Sequence, residues 1–492
     1  MPAKNFYDAV LVGLNLPSLL AAALLSKRGF RVLVIGHAQP WPSYEVRGVR
    51  LPTTPFALPA PSSPVLARIF SELALKPLLS RRLKPLAPAF QAVMPGHRVD
   101  LTLEPSWLVR ELSREFPDAR HAVEELLRSA AYSDPAVDGL LERDLMWPPE
   151  GWFERRDFTR ALASMPLGAE GEARPIWPEL AAHTPLGRVL SACLDQELDA
   201  SPRVLRVLRG VLSAAELEEG GLAGLYDLLI DSIRHHNGSL RLNERVDRLT
   251  IKRGTLSAVH AFPSDEEIGC HHLLWTLPVA RLMPLLEDRS VLDPMFAEVG
   301  EPRPSFARFT LNLLLRTQGI PEGMAKRALI LGEQPLWVEV QRHGERALLT
   351  AEARIDVREG VPPLTGQRER MLDSLSTLSP FLREHLELID SPHDGLAIED
   401  VQTGATFMPS EVGRRGPDTM ETVYAFPQTR IHGTVGLDVR TPIKRLLLCN
   451  SQVVPGLGFE GILLSAWSAA RAVTRSIGRD WMNRGRWTKV EL

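Results

Sequence analysis

Two glycine-bearing turns, far apart in the chain, are the places where this sequence could hold a reactive group. The first is Gly13-Leu14-Asn15-Leu16-Pro17-Ser18 and the second is Pro455-Gly456-Leu457-Gly458-Phe459-Glu460-Gly461. Each lies between a short apolar run and a helical pattern. Such a turn sets backbone N–H groups and a helix N-terminus at the end of a strand, where a pyrophosphate or another anionic group is stabilised. The dinucleotide fingerprint asks for Gly-x-Gly-x-x-Gly at the first turn and an acid after the following strand. This chain has Gly13, Asn15 and Ser18 in the turn and Gly36 where the acid would stand. Asn15 carries a Cβ where a pyrophosphate would approach, and as a good helix N-cap it competes for the same amides. Ser18 is small enough for close helix-to-strand packing, and Pro17 is tolerated because the first helical turn has no acceptor for its N–H.

The elements that must position these turns can be read from periodicity. Phe6 to Gly36 predicts a β-α-β unit: a strand over Tyr7–Val12, a buried helix over Leu16–Lys27 and a strand over Arg31–Ile35. His37–Pro64 is proline-rich and reads as a long connection. Between Ala60 and Ala215 the patterns are helical, at Val65–Leu73, Trp107–Ala131 and Leu186–Leu212. The apolar 65–79 stretch could face a membrane or a lipophilic ligand, but an ordinary core face is the preferred reading. From Gly220 a helix stripe (Leu222, Leu225, Leu229, Ile233) stops at Asn237-Gly238. Strand patterns follow at Leu240–Asn243, Arg245–Ile251, Thr255–Phe262 and Leu273–Leu277. Three alternating runs, Phe306–Leu315, Leu336–Arg342 and Ala347–Ile355, predict an antiparallel second sheet. A helix over Thr365–Leu378 and strand-like pieces near Val401 and Val423 accompany it. Thr441–Val473 ends the pattern as buried strand, glycine-rich turn and small-residue helix.

With 492 residues, 44% hydrophobic and 24% charged, the chain is long enough for two or three cores. A formal net charge of −3 gives no electrostatic footprint for nucleic acid, and the basic residues after Arg471 read as a solvated helix end. Cys193, Cys270 and Cys449 make no metal or redox spacing, which points to a reducing, cytoplasmic compartment. Asp8, Asn15 and Pro17 interrupt the only stretch that could pass for a leader, and no membrane-spanning run is found. The pairs His235/His236 and His271/His272 lack spaced partners, so no metal is expected.

The three blocks, in this order, resemble the flavoprotein superfamily of phytoene desaturases, carotenoid isomerases, protoporphyrinogen oxidases and amine oxidases. The resemblance is carried by the opening β-α-β unit, by the Gly220 block and by the Pro-Gly-x-Gly-x-x-Gly of residues 455–461. It implies an α/β fold: a Rossmann-like FAD-binding domain assembled from discontinuous pieces, 1–59, 216–285 and 436–492. It also implies a second, substrate domain of mixed helices and antiparallel sheet, from a helical cap at 60–215 and a sheet at 286–435. By the same resemblance FAD is the cofactor. Gly13, Asn15 and Ser18 would line the pyrophosphate turn, and Val246 would flank the adenosine. Ser451, Gly456, Gly458 and Gly461 would hold the ribityl and flavin end, where the helix dipole stabilises charge on a reduced ring. The implied activity is that of a desaturase, isomerase or oxidase acting on a lipophilic small molecule, with no residue marked as acid or base. Peripheral membrane contact, a protein partner and self-association are compatible with it. The replaced glycines and acid motivate an alternative, a flavoprotein fold that has lost its cofactor and serves as a binding or assembly subunit, as the Rab GDP dissociation inhibitors do.

Overall fold

The computed structural model describes residues 5–163, 176–408, 415–427 and 436–477. In chain order, the first elements that matter are β1 (Phe6–Val12), α1 (Leu16–Lys27) and β2 (Val32–Ile35). After a helical region come α2 (Pro202–Leu212), α3 (Gly221–His235), β3 (Ser239–Arg241), β4 (Arg245–Lys252), β5 (Thr255–Phe262) and β6 (Glu266–Trp275). The second half supplies β7 (Arg303–Arg316), β8 (Arg327–Leu331), β9 (Pro335–His343), β10 (Arg346–Asp356) and β11 (Glu421–Ala425). The chain closes with β12 (Leu446–Leu448) and α4 (Gly458–Ser476).

The first sheet has seven strands in the order β4-β5-β6-β1-β2-β3, with β12 beside β6. Its centre is parallel, Val10 lying opposite Leu273 on one side and Leu33 on the other. β12 joins in the same direction, with Leu447 opposite Leu274. β4 and β5 form an antiparallel meander at the edge. The central strands are continuous apolar runs because both faces are covered, a pattern that parallel sheets require. α1 is buried all round for the same reason, from Leu16 to Ser26. One core gathers Leu11, Leu20, Leu33, Leu229, Leu274, Leu447 and Leu464, so residues from distant blocks close a single hydrophobic cluster. Val65, Leu66, Ile69 and Phe70 are buried in that cluster as well, which gives the 65–79 stretch its core face.

The second sheet has ten strands, built around β7 and β10, which pair antiparallel from Phe306/Asp356 to Arg316/Arg346. β9 continues on the far side of β10, and β11 pairs with the first half of β7. A core of its own lies on one face, with Phe309, Leu311, Val338, Ala351, Met371 and Leu375. The region 60–215 is mostly helical, as expected, but also carries short strands. Phe90–Met94 and His97–Leu101 form a hairpin whose first strand runs parallel to β8 and extends the second sheet. Pro95-Gly96, with Gly96 at φ +78°, is its turn, a two-residue signal bracketed by apolar alternation. The proline-rich connection likewise holds a hairpin, Ser43–Val46 against Val49–Pro52, turned at Arg47 and Gly48.

Candidate functional site

The first turn is where the sheet and chemistry meet. Gly13 has φ +128°, and a Cβ there would stand 2.3 Å from Thr276 Oγ1, so only glycine fits. Asn15 caps α1: its side-chain oxygen accepts from the Ser18 N–H at 3.1 Å, and its amide donates to Thr276 O at 2.9 Å. Gln39 Oε1 accepts from the Leu14 N–H at 2.5 Å, and the Tyr226 hydroxyl takes the N–H of Leu16. Pro17 has none to give. The backbone N–H groups of Leu14, Leu16 and Ser18 are thus engaged by the protein's own side chains.

The adenosine end is closed in the same way. Val246 is buried, and its N–H donates to His37 Nδ1 at 3.1 Å. The His37 ring lies edge-on to Trp275, with centroids 5.4 Å apart. Burial, with Arg281 and Arg245 nearby, lowers the His37 pKa to about 4, so the ring is neutral and Nδ1 is an acceptor. Gly36, at the position of the missing acid, has no room for one. A Cβ there would come within 2.0 Å of Leu242 O.

The flavin-end turn is different. Pro455–Leu457 make one 3-10 turn, and Gly458, at φ +52°, opens α4. Gly461 is fixed by packing, since a Cβ would stand 2.0 Å from Val454 O. Gly456 is buried, its carbonyl accepting from Gln196 Nε2 at 3.3 Å. Asn450 turns inward to Leu277 O at 2.6 Å, which leaves Ser451 and Gly458 exposed. Glu460, in the first turn of α4, meets Arg206 of α2 through bonds of 2.7 and 2.9 Å, both side chains buried. This pair straps the helical region onto the turn. Cys449 Sγ, just before the turn, reaches Pro17 O at 3.5 Å. The two turns thus share one cleft.

Across that cleft, the second sheet presents charge. Arg308 on β7 binds Asp195 through both carboxylate oxygens, at 2.7 and 2.8 Å, and Glu352 on β10 at 2.8 Å. Arg354 reaches Asp195 at 3.2 Å, and Glu421 on β11 stands 3.6 Å from Arg308. Asp195 and Glu421 keep 46% and 70% of their side-chain surface accessible, so both carboxylates remain within reach of a ligand. Burial opposes charge on Asp195, but Arg308 and Arg354 outweigh it and hold the carboxyl below its usual range. Glu421 goes the other way: burial raises it, and Arg308 does not compensate. This wall joins the cleft through Gln196, next in sequence to Asp195, and through Tyr226, whose hydroxyl is pushed up by burial and by Glu421.

Of the residues singled out by sequence, Gly13, Asn15 and Ser18 share the first turn, and Val246 lies on β4, its N–H held by His37 just after β2. Gly456, Gly458 and Gly461 share the second turn, with Ser451 shortly before it. FAD fails the fit at the adenylate end, because its donors and its acid position are filled. Sequence reasoning did not single out His37, Gln39 and Tyr226, nor the charges at 195, 308, 352, 354 and 421. The clearest missed signal is Glu352 and Arg354, charged side chains on one face of a strand expected to be half buried.

No protein-family model matches this sequence, and no curated protein does. Solved structures do match in fold. An oxidoreductase from Methanosarcina mazei superposes with a TM-score of 0.56 at 16% identity, covering 94% of this chain and 99% of that one. Putrescine oxidase bound to putrescine gives 0.58 at 14% identity, over 96% and 99% of the two chains. Cyclohexylamine oxidase from Brevibacterium oxydans gives 0.55 at 15%, over 96% and 99%. The chain therefore has the fold implied by the resemblance, that of the amine oxidases and desaturases: a Rossmann-like domain assembled from discontinuous pieces beside a domain of helices and antiparallel sheet. None of the described helices is long and apolar enough to cross a membrane.

Proposed function

We propose that this protein binds a small cationic molecule, an amine, in the charged space between its two sheets, and that it does so without FAD in the dinucleotide mode. The observation that carries the first part is the charge imbalance of the wall. Asp195, Glu352 and Glu421 share Arg308 and Arg354, and Glu421, at 3.6 Å from Arg308, is the most distantly paired of the three carboxylates. An ammonium placed there would restore the charge that burial disfavours. A purely lipophilic ligand would leave it unmatched. That putrescine oxidase has the same fold and was solved with putrescine bound supports the same class of ligand. The second part rests on the engagement of Leu14, Leu16, Ser18 and Val246 N–H groups by Gln39, Tyr226, Asn15 and His37.

Calorimetric titration with putrescine tests the amine reading. Saturable binding that Glu421→Gln weakens by about tenfold or more, the worth of one charge-assisted contact, supports it. Heats unaffected by that substitution would count against it. Ser451 and Gly458, exposed at the flavin end, favour a second reading in which the chain is a flavin-dependent oxidoreductase. The colour of the purified protein separates the two. Absorption bands near about 370 and 450 nm, the mark of oxidised flavin, would establish the second reading.

A further inference from the structure

At the other end of β12 from the cleft, a pocket of about 420 Å³ opens between β5, β6, the loop before β12 and the last turn of α4. Its lining carries Arg440, Lys444 and Arg445, with the hydroxyls of Thr255, Thr441 and Ser476, and no carboxylate among the described residues. Arg440 is held in place by Glu150, which accepts from its backbone N–H at 2.9 Å and from its guanidinium at 2.6 Å. Lys444 and Arg445 are exposed. At the floor lies His272, only 6% exposed. Its Nε2 pairs with Ser476 Oγ at 3.0 Å, while Nδ1 is buried with no hydrogen-bond partner.

We infer that this pocket is a binding site for a small soluble phosphate or phosphate monoester, separate from the cleft. Three cations converge on one concavity with hydroxyl donors between them, the chemistry that recognises a phosphate dianion. Arg440 is paired with Glu150, so Lys444 and Arg445 carry the net positive charge, against about half a negative charge from the end of α4. An anion's charge would oppose the lowering of the His272 pKa by Arg445 and Arg440, so the ring reports on the site without bonding to the ligand. In the ligand-free protein the ring stays neutral: burial, His271, Arg445 and Arg440 lower its pKa to about 4, with Asp8 alone opposing them. The apolar side chains in the lining, Ile443, Leu446 and Leu447, are buried, so no lipid-seeking surface surrounds the site.

The test is titration of the full chain with inorganic phosphate, and separately with glycerol phosphate, in a phosphate-free buffer at constant ionic strength. Two readouts are followed, the melting temperature and the NMR titration of the His272 ring. Saturable stabilisation is expected, together with a rise of the His272 pKa. Lys444→Gln and Arg445→Gln, both at exposed positions, should each weaken phosphate by about fivefold, the upper value for an exposed charge contact. Three results would overturn the inference: a response that sodium chloride reproduces, affinity unchanged in both variants, or a His272 titration indifferent to phosphate. Binding to phosphatidic acid vesicles in preference to the soluble phosphates would overturn it as well.

Discussion

Replacing His37 and Gln39 together by glycine removes two of the four groups that occupy the adenylate end. In the wild-type protein, FAD would have to displace the bonds at Leu14, Leu16, Ser18 and Val246. At about 1 kcal/mol net for each hydrogen bond, the competition amounts to about 4 kcal/mol, or roughly a thousandfold in affinity. The double variant frees the amides of Leu14 and Val246, so it should regain about 2 kcal/mol, roughly thirtyfold. Folding should tolerate the change. His37 sits at φ +54°, where glycine relieves about 1–2 kcal/mol of backbone strain and offsets the lost bond to Val246. The assay is quenching of FAD fluorescence on titration with each protein, with the visible spectrum as a check. If the wild-type protein takes up stoichiometric FAD, or if the double variant binds no better than wild type, self-filling is not what governs this site.

Gly36→Glu, which restores the fingerprint acid, should unfold the protein at lower temperature instead of improving FAD binding, because its Cβ would meet Leu242 O; thermal melting checks this. Asn15→Gly should raise FAD affinity modestly by freeing the Ser18 N–H, while weakening the α1 cap by only a few tenths of a kcal/mol; no gain would mean that the first turn does not decide the cofactor. Arg206→Met leaves Glu460 as an uncompensated buried charge, and denaturant unfolding should register a loss of about 3–5 kcal/mol. His272 and His393 are both buried, and burial lowers each pKa from 6.5 to about 4. The unfolded chain therefore binds more protons between those values, so the stability they contribute is complete above pH 6.5 and is lost as pH falls toward 4. The loss is at most about 3 kcal/mol for each group, visible in urea unfolding across that range.

The local elements were legible in the sequence because each has its own period. The continuous apolar runs of β1 and β2, the helical spacing in α3 and the alternation in β7, β9 and β10 are set by neighbours a few residues apart, and the structure has all of them. The hairpins at 43–52 and 90–101 were hidden by their setting, a proline-rich connection and a helix-dominated region. What occupies the cleft is a different kind of question. Asn15 announced itself as a cap, but whether Gln39, Tyr226 and His37 reach the amides around it depends on how three segments, distant in sequence, converge. The same holds for Glu421, whose loose pairing with Arg308, at 3.6 Å, is set by the register of β11 against β7. Hydrophobic patterning acts along the chain and therefore shows in it, whereas a donor's partner or a carboxylate's counter-ion is fixed only when the strands that carry them are brought together.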